Sequence, residues 1–178
     1  MGVPAWLAGV GHELRSAIGD EFRAEAAADE RAVAGFRLRH RTLSDVATEL
    51  MHRGDAVTVF IGNSTVRGRL AHVASNLATL TPTTGARLHL NLDSPITLRR
   101  NPSEKRHAGR GRDSMACDSF PAQLRSFEMA GRLIRLEADS PAGRVLGRLE
   151  AVAVDHVVLT TPDTKWYVPL GVIHGVWE

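Results

Sequence analysis

The chain is poor in cysteine, lysine and aromatic residues, and each shortage narrows what it can be. One cysteine, Cys117, permits no intrachain disulfide and fits a reducing compartment. Eight histidines are scattered without any short pair at metal spacing, so neither a zinc site nor a cofactor is expected. Two lysines, Lys105 and Lys165, stand against twenty arginines, a bias that reads as codon usage in a GC-rich, bacterial genome. No apolar run approaches the roughly 18 residues that a membrane helix needs. The first residues, MGVPAWLAGVGHELR, lack the basic stretch that precedes a secretory segment, and Trp6 occupies the position where myristoylation needs Ser or Thr. A cytoplasmic protein with no membrane partner is expected. Also missing is any convergent acid, base and nucleophile: Cys117 adjoins Asp118 and Ser119, but no histidine falls near it, so the chain does not read as an enzyme.

What is present is apolar content of 43%, enough for packed cores in 178 residues, and an uneven charge. Residues 1–98 hold ten Arg and ten acidic residues, net zero; residues 99–112 hold six cations and Glu104, net +5; residues 113–178 hold six cations and nine anions, net −3. The basicity is thus confined to RRNPSEKRHAGRGR, which lacks periodicity and reads as a flexible linker. Arg99, Arg100, Lys105, Arg106, Arg110 and Arg112 within it are suited to phosphate contacts along a nucleic acid. The bland alternative is a solvated connector. No aromatic residue lies among them to stack on bases.

From His12 to about Arg37 an Ala-, Glu- and Arg-rich stretch with Leu14, Ile18 and Phe22 at a spacing of four predicts a helical arm. A second helix is expected over about Leu43–His52, capped by Thr42 or Ser44 and ended by Gly54. Strands are expected at about 56–61, 65–74, 76–82, 86–92 and 95–99. The first alternates Val57, Val59 and Ile61 with Ala56, Thr58 and Phe60, and Gly62-Asn63 forms its hairpin turn. The pattern then repeats. A helix from Pro121 to Met129, capped by Asp118 or Ser119 and closed by Gly131, precedes a second set of strands, in which GRL at 147–149 echoes GRL at 68–70. A glycine inside a strand, here Gly68 and Gly147, is at home where the strand bends sharply or another backbone comes close.

Helix, five short bent strands and a glycine in the second strand, twice over, resemble the Sm-like small barrels, the superfamily of the Sm proteins and the bacterial host-factor RNA chaperone; SH3-like barrels share much of the pattern. The resemblance covers 42–99 and 118–177. It implies a mainly β (α+β) fold: an N-terminal helical arm (1–41), a first five-stranded barrel (42–99), an Arg-rich linker (100–117) and a second barrel (118–178), each barrel preceded by a short helix. It also implies a non-enzymatic RNA-binding or ribonucleoprotein-associated module, with Asn63, Arg67, Arg69 and Asn76 joining the linker cations as nucleic-acid contacts. In the turn where the family holds a base, Asn76 matches the family's asparagine. His72 stands at its acid and Ser75 at its methionine, while the second copy has Ala151 and Asp155 at the acid and the asparagine. These departures keep a rival open, a protein-interaction or assembly scaffold using the helical arm and exposed barrel edges, as a homo-oligomer or with a partner protein. Family members join strand four to strand five of the next barrel. The two copies here can pair in that way within one chain, or three chains can supply six barrels to a ring. Trp166, Tyr167 and Trp177 of the second copy, matched in the first by Arg87, His89 and Leu98, read as core and edge packing.

Overall fold

The computed structural model describes residues 22–23, 25–83, 85–101 and 117–178. The chain divides into an N-terminal unit ending at Arg41 and a unit spanning Thr42–Glu178. In the first, residues 22–23 and 25–39 are helical (α1). The earlier part of the expected arm, with Leu14 and Ile18, lies outside the described residues. Phe22, Val33, Phe36 and Leu38 of α1 are exposed, and the Phe36 ring stacks on His40 at 4.0 Å. Among the described residues no helix is long and apolar enough to cross a membrane.

The second unit is mainly β. Helix α2 (Leu43–Arg53) opens with a capping box. Thr42 Oγ1 accepts from the Asp45 amide at 3.1 Å, and the Asp45 carboxylate accepts from the Thr42 amide at 2.8 Å. It stops at Gly54, whose left-handed φ of 64° lets its N–H reach the carbonyls of Leu50 and Met51. Strands β1 (Ala56–Ile61), β2 (Ser64–Ala74), β3 (Leu77–Pro82), β4 (Leu88–Asn91) and β5 (Ile96–Asn101) follow. Helix α3 (Phe120–Met129), capped by Ser119 rather than Asp118, then leads into β6 (Leu133–Ala138), β7 (Arg144–Val152), β8 (His156–Thr160), β9 (Lys165–Pro169) and β10 (Ile173–Trp177).

Two expectations change. The two copies are joined rather than separate: all ten strands belong to one open antiparallel sheet in the order β5-β1-β2-β3-β4-β10-β6-β7-β8-β9. The fifth strand runs past 99, so Arg100 is not linker: Arg99 and Arg100 lie at the end of β5, pairing with Thr58 and Val57 of β1. Each half keeps the same internal strand order, and β2 and β7 each carry a register shift just past their glycine, after Leu70 and Leu149. Such bulges bend a strand.

The halves meet at a seam where β4 pairs antiparallel with β10: Leu88 with Trp177, His89 with Val176, Leu90 with Gly175. The close approach depends on Gly175, where a Cβ would lie 2.9 Å from the His89 carbonyl oxygen. Asn91 Nδ2 crosses the seam to the Ile173 carbonyl at 3.0 Å. Each half has its own apolar core, and the cores share across the seam. Leu77 of β3, fully buried, sits in the second core with Phe120, Leu124 and Val176, while Trp177 packs against the first.

His89 is a titratable group in this seam. It is 5% exposed, with its ring edge-on to Phe127 at 5.2 Å and Nδ1 3.1 Å from Thr79 Oγ1. Burial lowers its pKa from the ordinary value; Glu178, 3.5 Å away, opposes this only in part, and the positive charge of Arg87 and the neighbouring His72 add to the lowering. The folded state therefore holds His89 neutral, and its contribution to stability is complete above the unfolded pKa of about 6.5 and lost as pH falls below it. We expect the urea midpoint to fall between pH 7.5 and 5.5, and the fall to be shallower in His89→Gln; equal slopes would remove His89 as the cause.

Candidate nucleic-acid interface

The pairing register places the sequence-predicted residues. On β5, β1 and β2, Arg99 pairs with Thr58 and Thr58 with Arg67; two residues on, Ala56 pairs with Arg69. Because side chains alternate along a strand, directly paired residues and their second neighbours share a face. Arg67, Arg69 and Arg99 therefore stand together on one face of three adjacent strands. Arg67 and Arg99 are exposed and Arg69 half-buried. Phe60 is half-buried on this face with the Arg99 guanidinium 5.4 Å from its ring centroid, a cation–π contact. Asn63 is exposed in the turn that ends the β1–β2 hairpin.

Two others serve the fold. Arg100 Nε lies 2.9 Å from Oδ2 of the buried Asp55, tying the edge strand to the end of α2. Asn76, at the turn where the resemblance places a base, is used inside the chain: Nδ2 donates to Asp93 at 2.7 Å and Oδ1 accepts the Phe120 amide at 3.0 Å, at the start of α3. His72 beside it donates to the Cys117 carbonyl at 3.1 Å. Lys105, Arg106, Arg110 and Arg112 lie outside the described residues. Among the described residues no cluster of three or more His, Cys, Asp or Glu is arranged to hold a metal.

The basic face runs into a cleft of about 330 Å³ between the halves, with Arg67, Ser64 and Thr65 on one wall and Arg135, Glu137 and Arg144 on the other. Glu137, 6% exposed, organises the second wall. Its Oε1 accepts from Arg144 Nε at 2.9 Å and Trp177 Nε1 at 3.1 Å. Arg144 Nη2 spans the cleft to Ser64 Oγ at 2.7 Å, and the Arg135 guanidinium lies 4.5 Å from the centroid of the Trp177 ring. This wall is not legible in the sequence. Arg135 and Glu137 alternate on β6 and so visibly share a face, but only the seam brings that face opposite Ser64 and Arg67, 70 or so residues away.

No protein-family model matches the chain, and no curated protein matches it.

Proposed function

We propose that the protein is a non-enzymatic nucleic-acid-binding module, two Sm-like small barrels fused through the β4–β10 seam, which holds a single strand by its phosphates. One observation carries this reading: three strands converge Arg67, Arg69 and Arg99 on one face, with Asn63 at the end of its hairpin. Guanidiniums spaced along a sheet fork onto successive phosphates, and Phe60 gives the face an aromatic surface, which the linker lacks, for a base to stack on. In the sequence the basic segment with Lys105, Arg106, Arg110 and Arg112 follows β5 directly.

The rival, assembly through exposed edges, lacks the chemistry of the seam. The registers make Thr58 the counterpart of Arg135, which sets Arg99 (not Leu98) in the place of Trp177 and Thr97 in the place of Gly175; on the other edge Pro169 takes the place of Asn91. A second copy pairing on β5 in the seam's register would push a carbonyl into the Thr97 side chain, where the seam needs a glycine. On β9, Pro169 has neither an amide hydrogen nor the amide side chain that crosses the seam. Proline and charge are how natural sheets guard their edges. The internal junction is therefore built once.

A mobility-shift series with single-stranded RNA in rising salt tests the reading. Each phosphate contact contributes about −0.7 to the slope of log K against log salt, so Arg69→Ala/Arg99→Ala should flatten it by about 1.4. Absence of any shift at the lowest salt sinks the proposal.

A further inference from the structure

We infer that the cleft between the halves is a binding site for a phosphomonoester, with the terminal phosphate of a nucleic-acid strand as its source; the source rests on the nucleic-acid reading above, the site does not. Charge is the first ground. Arg67, Arg135 and Arg144 against Glu137 leave the cleft at +2. A phosphomonoester carries about −1.5 to −2 near neutral pH, whereas an internal diester carries only one charge. The second ground is preorganisation. Glu137 is held in place by Arg144 and Trp177, and Arg144 is braced on Ser64, so the guanidinium wall is set before any ligand arrives. The third is an unfinished contact. Arg135 Nε is buried without a hydrogen-bond acceptor, the nearest carboxylate oxygen, Glu137 Oε1, lying 3.7 Å away. Arg135 is therefore not committed to that carboxylate through Nε, and with its side chain 42% exposed the rest of its guanidinium is the part that an oxyanion in the cleft meets. Ser64 and Thr65 line the opposite wall. At about 330 Å³ the cleft is at the small end of ligand sites, the size of one nucleotide rather than of a strand passing through.

The test uses the full chain in a competition assay against a fluorescent single-stranded RNA. Unlabelled RNAs of one sequence, ending in hydroxyls, in a 5′-phosphate or in a 3′-phosphate, are the competitors, and a free nucleoside monophosphate is titrated separately by calorimetry. One phosphorylated RNA should compete at least tenfold better than the hydroxyl-ended RNA. Arg135→Gln, or Arg144→Gln if the first variant folds poorly, should bring the two within twofold while hydroxyl-ended RNA still binds. If RNA binds and the terminal phosphate adds nothing, the cleft inference is overturned and the nucleic-acid reading stands. If no RNA binds but the monophosphate does, and Arg135→Gln abolishes it, the nucleic-acid reading fails and the site stands as one for a free monoester. If neither binds, both fall.

Discussion

Gly68→Ala is expected to destabilise the Thr42–Glu178 unit by about 3 kcal/mol or more, at or beyond the top of the usual range for forcing atoms into a packed site. The cause is space rather than backbone freedom, since Gly68 is not among the glycines with positive φ. A Cβ added there would lie 2.3 Å from the Thr81 carbonyl oxygen, 2.8 Å from Pro82 Cα and 2.9 Å from the Thr81 carbonyl carbon. All three are backbone atoms of the paired strand β3, which cannot turn aside as a side chain would without breaking its own ladder. The repeat supplies an internal control. At Gly147 the nearest contact is the Thr160 carbonyl oxygen at 2.9 Å, and the next atoms stand at 3.4 Å. Gly147→Ala should therefore cost distinctly less. Urea denaturation of the two variants side by side checks the order; a Gly68→Ala variant as stable as Gly147→Ala would show that β3 yields easily and that the close approach does not require the glycine.

These glycines are legible in the sequence because a glycine in mid-strand is costly unless something occupies the place of its side chain. The caps were legible for a similar reason. Thr42, Gly54 and Ser119 satisfy helix ends by local chemistry that a few residues contain in full. The fate of Asn76 and Arg100 was not. Each has the type and position of a binding residue, and each is used by a partner that sequence distance hides, Phe120 and Asp93 for one, Asp55 for the other. Arg100 read as linker because charge near Pro102, Gly109 and Gly111 looks solvated, yet β5 is the end strand of the sheet, and such a strand accommodates arginine along its length. The second wall of the cleft was invisible for a plainer reason: alternation shows which residues share a face, not what that face meets.

Leu77→Ala is expected to cost about 3 kcal/mol, within the 2–5 kcal/mol typical of a fully buried leucine, and to leave one unfolding transition instead of two. Leu77 belongs to the first half by sequence, pairing through β3 with Ala74 and Asn91, but its side chain lies in the core of the second. Deleting it removes packing from α3 and β10 while loosening the start of a strand that the first core depends on. Leu80, three residues on and equally buried, sits in the first core and is the matching control. Because the seam couples the cores through Leu77, Trp177, Gly175 and Asn91, neither half has a complete set of contacts alone. Trp177 at the seam and Trp166 in the second half report by fluorescence, and circular dichroism reports on the whole sheet. Coincident urea curves by the two probes are expected for wild type, Leu77→Ala and Leu80→Ala alike, with both variants shifted to lower urea. Curves that separate in Leu77→Ala, the fluorescence melting first, would mean that the halves fold independently and that the shared leucine only decorates their boundary.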